Sequence, residues 1–393
     1  LVGAHKYLGG APSACGGLLL GVPAHARRVV TLDLRDGSVG SLVGVVGRRN
    51  YKWLRGVLAR DGAVYCIPAC AEAVLRISEQ GELSYLGEGE LPAANAGEWR
   101  WHGGALGADG SVYAIPANAE RVLRIVVERQ EVELIGPRLH PGLKNKWYGG
   151  IRASDGTIWG MPYNAPSCLR INPTTGEVRE IGTFPVGGWK WHGGCRSTCG
   201  KYIIGIPSHA AAVLRIDTAA CKVDLLPTGL SGNYKWGGGV ADALGNVWAI
   251  PSDAAFVAKI VPATGEVRCP GCAPPLCPLI PGRRTGRPRC LRPLAPPILR
   301  GNRLPDAFDQ LPHQLAYTSL SHAQVALIGG LPATRNKWQG GVLGRDGNVY
   351  CIPCDASSVL CIHTATGMLS VHGNLGDSKM KFQVRKREAY PVC

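Results

Sequence analysis

The sequence predicts a seven-bladed β-propeller, an all-β fold in which each blade is a sheet of four antiparallel strands. Three observations predict it. One motif recurs seven times along the 393 residues, the spacing between its aromatic residue and its proline is nearly constant, and turn-forming residues divide each copy into four short apolar runs. Four strands in about 45 residues, repeated along the chain, are typical of propeller blades.

The composition agrees with a fold built from strands. The chain holds 54 Gly and 29 Pro but only 4 Phe and 3 Met, so its apolar side chains are mostly Val, Ile, Leu, Ala, Trp and Tyr. Turn formers combined with β-branched and aromatic residues favour strands over helices. No apolar run approaches the roughly 20 residues of a membrane-spanning helix, so we expect no membrane association.

The motif is clearest in its third copy. Trp101-His-Gly-Gly opens this copy, Asp109-Gly110 follows, and Val112-Tyr-Ala-Ile-Pro116 and Val122-Leu-Arg-Ile125 come next. The aromatic residue and the proline are 15 residues apart in five copies and 16 in the other two. Chance does not produce this constancy, so the copies are equivalent structural units. Their aromatic residues are Tyr7, Trp53, Trp101, Trp147, Trp191, Trp236 and Trp338.

Turn signals then divide each copy into strands A to D, taken in chain order. Strand A is the Gly-Gly run, and it ends at an Asp-Gly turn in the copies with Asp61, Asp109, Asp155 and Asp346. Strand B ends at the proline, because proline cannot donate to a strand ladder. Strand C is the Val-Leu-Arg-Ile run, and strand D is the Glu-Val-x-x-Ile-Gly run. The paired glycines allow close backbone approach near the propeller axis, and the Trp is expected to fill the wedge between neighbouring blades.

Two segments interrupt the pattern. Residues 269–323 hold 11 of the 29 Pro and seven Arg with almost no strand pattern, which predicts a disordered insertion or a gene-model artefact. The tail begins with Lys381-Phe382, like the start of an eighth copy, and then loses the motif. The predicted organisation is therefore blades one to six in 1–268, the insertion in 269–323, the seventh blade in 324–376 and an irregular basic tail in 377–393.

The 15 cysteines do not resemble a disulfide framework. An odd count in a chain of this length favours a reducing compartment such as the cytoplasm. Cys66 and Cys351 occupy positions where other copies carry Ala or Gly, so we interpret them as small core residues. Four further cysteines lie in the insertion, but their spacing lacks two matched Cys-x2-Cys pairs, so no zinc site is predicted. These four are Cys269, Cys272, Cys277 and Cys290.

The strand order places two kinds of loop on one face of the propeller. The connection from strand D into the next strand A carries the Lys-Trp or Arg-Trp pair, and the turn from B to C carries Pro-x-(Asn/His/Asp)-Ala. Residues present in every copy are interpreted as structural, whereas positions that differ between copies are candidates for ligand binding. The candidates that follow the aromatic residue are His102, Tyr148, His192 and Gln339, and those in the B–C turn are His25, Asn118, Asn164, His209, Asp253 and Asp355.

The net charge of +15 is concentrated outside the blades. The insertion carries +5 and the tail +3, which leaves +7 spread around the blades. A ring without a basic stripe makes nucleic acid an unlikely partner, and a small anionic ligand or a protein is expected instead. The oligomeric state stays open.

Two strings carry a resemblance to known propellers. Asp155-Gly-Thr-Ile-Trp159 with Leu169-Arg-Ile-Asn-Pro-Thr-Thr-Gly-Glu177, and Asn246-Val-Trp248 with Lys259-Ile-Val-Pro-Ala-Thr-Gly-Glu266, resemble blades of streptogramin-lyase-like propellers. They are similar, more distantly, to NHL-repeat and gluconolactonase-like propellers. The resemblance covers the seven blades and none of 269–323.

The resemblance implies particular site residues. In the lyase a His next to Gly in an innermost strand acts as base, beside a Glu and a divalent metal, and His102 and His192 match that His. The B–C turns of these two blades carry Asn118 and His209 in place of Glu. Gluconolactonase-like enzymes hold a divalent cation on acidic and Asn ligands near the axis, and the residues of those types here are Asn118, Asn164, Asp253 and Asp355.

Two hypotheses of function follow. The first is a non-catalytic binding or scaffolding propeller with neither a cofactor nor a tight metal site. The alternative is a metal-dependent lyase or lactonase in which His102 and His192 are catalytic. Because the motif residues of the lyase are incomplete, the sequence favours the binding protein.

Overall fold

Seven four-stranded antiparallel sheets form a propeller ring, as the sequence predicts. A computed structural model describes residues 6–376 except 43, 94–97, 230 and 263–325. Regular structure in these ranges consists of strands, and they contain no helix long and apolar enough to cross a membrane. The predictions for the insertion and for the basic tail concern residues outside the described ranges.

Each of the first four blades runs through strands A to D without interruption. The bounds are β1 (Tyr7–Pro12), β2 (Leu18–Pro23), β3 (Val30–Asp33) and β4 (Val39–Ser41) in blade 1, β5 (Trp53–Leu58), β6 (Val64–Pro68), β7 (Val74–Ile77) and β8 (Leu83–Leu86) in blade 2, β9 (Trp101–Leu106), β10 (Val112–Pro116), β11 (Val122–Val126) and β12 (Glu131–Ile135) in blade 3, and β13 (Trp147–Arg152), β14 (Ile158–Pro162), β15 (Cys168–Asn172) and β16 (Glu177–Ile181) in blade 4.

The remaining three blades repeat the order. Their strands are β17 (Trp191–Arg196), β18 (Tyr202–Pro207), β19 (Ala212–Asp217) and β20 (Lys222–Pro227) in blade 5, β21 (Trp236–Ala241), β22 (Val247–Pro251), β23 (Val257–Ile260) and β24 (Ala326–Ile328) in blade 6, and β25 (Trp338–Leu343), β26 (Val349–Pro353), β27 (Val359–Ile362) and β28 (Leu369–His372) in blade 7.

The position of β24 corrects the predicted blade boundary. Val257 pairs with Ile328 and Lys259 with Ala326, so this strand is the fourth of blade 6. The sequence-based boundary had placed it in the seventh blade, which in fact begins at Trp338. The error has a simple cause: the insertion separates strand C from strand D inside one blade, rather than one blade from the next.

The repeated Trp lies between blades, as predicted. Trp147 is fully buried among residues of blades 3 and 4, and its indole N–H donates to the backbone oxygen of Ser167 at 2.6 Å. The other five Trp donate in the same way to a carbonyl 20 or 21 residues ahead. Each Trp thus ties the start of strand A to the start of strand C in its own blade, while its ring fills the wedge beside the preceding blade.

The paired glycines have two different roles. The first adopts positive φ in every copy that has it, and the strand pairing is irregular there, so each strand A contains a bulge after its aromatic residue. The second lies in crowded surroundings, and in blade 6 it leaves room for an apolar side chain of the preceding blade. A β-carbon on Gly239 would lie 2.6 Å from Cδ1 of Ile206, closer than atoms can approach.

The core is a series of junctions between consecutive blades. Buried clusters join blades 1 and 2, 2 and 3, and so on to 6 and 7. Among the described residues no such cluster joins blade 7 to blade 1. Ile352 of blade 7 is accordingly 38% exposed, whereas Ile250, its equivalent in blade 6, is completely buried. Cys66 and Cys351 are buried core residues, as predicted, and burial raises the pKa of both thiols.

Candidate functional site

The repeated lysines are structural. They lie on the face that carries the D–A and B–C loops, which we call the axial face. Lys52 is buried, and its Nζ donates to the backbone oxygens of Ala24 at 2.8 Å, Ala26 at 2.9 Å and Arg49 at 3.0 Å. Burial lowers the pKa of Lys52 to about 8. The same burial, pKa shift and carbonyl contacts recur at Lys146, Lys190, Lys235 and Lys337. These ammonium groups therefore fix loops to the blades and are not presented to a ligand.

Three candidates of the B–C turn also make contacts between blades. Asn118 Oδ1 accepts a hydrogen bond from the backbone N–H of Asn145 at 2.7 Å, and Asp253 Oδ1 accepts one from Asn336 at 2.7 Å. Asn164 Oδ1 does the same for Trp189 at 3.1 Å. In each case the donor belongs to the next blade and has positive φ. Asp355 shares with these three residues a backbone hydrogen bond, in which its own N–H donates to the carbonyl of Asn336 at 2.8 Å.

The candidates that follow the aromatic residue surround an axial cavity. The bulge after each aromatic residue directs these side chains toward the axis. The cavity measures about 520 Å³, and His102, His192 and Gln339 line it. Leu8, Leu54 and Gly237 occupy the same position in other blades and also line it. Tyr148 is buried and stacks on His102 with ring centroids 3.8 Å apart.

Nine aromatic rings form a continuous series beside this cavity. We call it the aromatic arc. Neighbouring ring centroids are 3.8 to 5.7 Å apart from His25 to Tyr234, which is the range of favourable ring contacts. Four of its members, including Trp99 and Tyr234, also line the cavity. The arc consists of His25, Tyr51, Trp99, His102, Tyr148, Tyr163, Trp189, His209 and Tyr234.

Sequence reasoning missed four members of the arc that share one position. Tyr51, Trp99, Trp189 and Tyr234 each precede the repeated Lys or Arg. Three of them have positive φ, namely +50° at Tyr51, +45° at Trp189 and +52° at Tyr234. Bulky residues rarely adopt this conformation because it is strained, and such strain is concentrated at functional sites. The signal was present in the sequence, since this position changes from Tyr to Trp to Asn between copies.

The cavity residues do not fit the divalent metal that the resemblance implies. No Asp or Glu occurs among the described residues that line it. In the ranges that the structure covers, no three His, Cys, Asp or Glu side chains are grouped so as to hold a metal ion. His102 and His192 do converge, with ring centroids 6.3 Å apart. The described lining therefore joins two imidazoles with Arg55 and with neutral polar and aromatic groups, without the carboxylates that hard cations require.

Comparisons with known proteins agree with the fold. A family model described as "Repeat of unknown function (DUF6923)" matches residues 56–220. A search of the curated proteins finds no significant match. A streptogramin B lyase structure is similar with a TM-score of 0.58 and 13% identity, over 90% of this chain and 92% of that one.

A virginiamycin B lyase from Staphylococcus aureus is also similar. Its selenomethionine form gives a TM-score of 0.53 and 16% identity, over 65% of this chain and 80% of that one. A catalytically inactive variant of that lyase, with quinupristin, gives a TM-score of 0.52 and 15% identity over the same shares. At these identities the likeness concerns the fold and not the chemistry.

Proposed function

Since the chain has the fold of a streptogramin-lyase-like propeller, we propose that it is a binding protein whose axial face holds a ligand against the aromatic arc. The continuous series of nine rings beside the cavity carries this proposal. Rings supply large contact areas with little loss of conformational entropy, and each offers a face for stacking. A cavity of about 520 Å³ is within the usual size of sites for small organic molecules.

The strained backbone of the arc supports the same role. Trp189 and Tyr234 could be replaced by glycine or asparagine without cost to the backbone, and asparagine does occupy this position at Asn145 and Asn336. Retaining large rings in a left-handed conformation lowers stability by about 1–3 kcal/mol each. The rings therefore contribute something other than stability, and contact with a ligand is the contribution that we propose.

Saturation-transfer NMR with benzamide tests this proposal. Benzamide is a neutral flat ring, and we expect it to bind the parent protein and to lose most of its signal with Trp99→Ala and Trp189→Gly. Tyr85→Ala is the matched control, because Tyr85 is an exposed ring on an outer strand away from the arc. Equal signals from all four proteins would contradict a binding role for the arc.

The convergence of His102 and His192 favours lyase chemistry as a second candidate. One of the similar structures is a lyase with quinupristin, which makes this compound the first substrate to try. We therefore suggest incubating the parent protein and His192→Ala with quinupristin and magnesium, and following the substrate by liquid chromatography. The binding role predicts unchanged substrate with both proteins. Conversion by the parent that His192→Ala abolishes would establish an enzyme.

A further inference from the structure

Arg55 is an exception to the repeat at a position near the axis where the other copies have glycine. It takes the place of the first glycine of the pair, and the other six blades have glycine there with φ between +70° and +133°. Arg55 has the same left-handed conformation, with φ +65°. A side chain with a β-carbon is strained in this conformation, so the backbone gains nothing from arginine. The six glycines are Gly9, Gly103, Gly149, Gly193, Gly238 and Gly340.

The Arg55 side chain lies in the axial cavity. It is exposed to solvent and lines the cavity together with residues of other blades. Loss of solvation lowers its pKa, and no neighbouring charge or hydrogen bond in the described part of the chain opposes that effect. Arginine keeps its charge in spite of such a shift.

The described residues around this cation supply no countercharge. Other described residues that line the cavity are glycines, apolar or aromatic side chains, and neutral polar groups such as Ser208, Ser252 and Gln339. A guanidinium ion that has lost part of its hydration without gaining a countercharge is unfavourable. An anion would relieve this cost, and the planar fork of arginine matches the two oxygens of a carboxylate or a phosphate.

We propose that Arg55 anchors the anionic group of the ligand, a carboxylate or a phosphate, inside the axial cavity. The inference rests on the binding role proposed above and adds the charge of the ligand to it. Arg55 and the arc members Trp99 and His102 line the same cavity. The ligand would therefore carry its anionic group on a ring or another flat apolar part, with the anion at the arginine and the ring against the arc.

Arg55→Gly is a clean test, because it restores the residue that the other six blades have. Calorimetric titration compares the parent protein with this variant for benzoate, phenyl phosphate and benzamide. Benzamide has almost the shape of benzoate but no charge. We expect Arg55→Gly to weaken benzoate or phenyl phosphate by about ten-fold or more, the scale of one charge-assisted pair, and to leave benzamide unchanged. Arg196→Ala, which removes an exposed arginine at the end of β17, is expected to change none of the three.

The outcomes separate this inference from the binding role. Equal affinity of the parent protein and Arg55→Gly for both anions would overturn the role of Arg55, whatever benzamide does. A preference for benzoate over phenyl phosphate identifies the anion as a carboxylate, and the reverse identifies a phosphate.

A ringless anion tests Arg55 independently of the arc. If the rings bind nothing, inorganic phosphate should still raise the melting temperature of the parent protein more than that of Arg55→Gly. Equal shifts would overturn the inference.

Discussion

Buried cations, one in almost every blade, distinguish this propeller at the scale of single residues. Lys52 and its equivalents donate to backbone oxygens of the loops around them, and Arg100 takes this place in blade 3 with bonds to Ala71 and Pro92. A buried charge is favourable only when its hydrogen bonds are satisfied. The buried lysine therefore recurs from blade to blade, because each loop needs a donor for its carbonyl groups.

Lys52→Met should lower the free energy of unfolding by about 2 kcal/mol at neutral pH, because the carbonyl groups of Ala26 and Arg49 lose a charged donor. Ala24 keeps a bond from the backbone N–H of residue 52. Urea unfolding measures the effect. Lys222→Met is the control, because Lys222 is exposed and its ion pair with Asp224 is worth less than about 1 kcal/mol.

The difference between the parent protein and Lys52→Met should grow with pH. The pKa of Lys52 is about 8 in the folded protein, below its ordinary value of 10.5, so between these values the unfolded chain binds more protons. Stability from this group then rises with pH through that window. The buried thiols have raised pKa values and act in the opposite direction, but they are present in both proteins and cancel. A constant difference from pH 7 to 10 would show that the carbonyl oxygens offset the desolvation of the ammonium.

Site residues that belong to the repeat could be predicted from the sequence, whereas those that depart from it could not. The wedge Trp and the place of His102 and His192 beside the paired glycines follow from residues that recur in nearly every copy. Tyr51 and Trp99 lie at a position that varies between blades, and Arg55 replaces a glycine that the other six blades have. Their importance depends on φ and on which blades meet around the cavity. Neither can be read from one copy alone.

At the scale of strands, the β23–β24 hairpin of blade 6 encloses the insertion. Lys259 pairs with Ala326, and in blade 4 the equivalent residue Arg170 pairs with Arg179. Four residues, 173–176, form the turn in blade 4. The sequence Pro262-Ala-Thr-Gly265 would supply the same four-residue turn in blade 6, provided that residue 324 followed it directly.

Joining Gly265 directly to Gln324 should therefore preserve the register of blade 6. The variant lacks residues 266–323, and we expect a melting temperature within a few degrees of the parent protein, since loop length has a small effect on loop-closure entropy. Calorimetry measures it. Joining Gly265 to Val325 is a matched control, because it shifts the strand by one residue and turns its apolar face outward. A large loss with the in-register variant, at the scale of a core defect of about 2 kcal/mol or more, would show that the inserted residues stabilise the propeller.

At the scale of the whole molecule, six junctions have an apolar core, and the junction between blades 7 and 1 has none among the described residues. Ile250 and Ile352 occupy equivalent positions on strand B of blades 6 and 7. Cδ1 of Ile250 would lie 3.2 Å from a β-carbon on Gly341 of the next blade, so it packs across a junction. Ile352 instead lines the cavity and is partly exposed.

Ile250→Ala should cost about 3 kcal/mol, within the range for truncating a buried isoleucine, and Ile352→Ala less than about 1.5 kcal/mol. Each substitution is the control for the other, because both replace isoleucine with alanine at positions that are equivalent in the repeat. Urea unfolding at one pH compares them. Similar costs would mean that the last junction is packed as tightly as the others.

The junction between blades 7 and 1 would also affect how the proposed ligand reaches the cavity. Leu8 and Gly9 of blade 1 and Gly340 and Ile352 of blade 7 all line that space. In an array held by neighbour contacts, local unfolding begins where a unit lacks a partner. Local opening between blades 1 and 7 would widen the entrance to the cavity while blades 3 to 5 stay native. Association and release would then follow the rate of that opening, at speeds well below the diffusion limit.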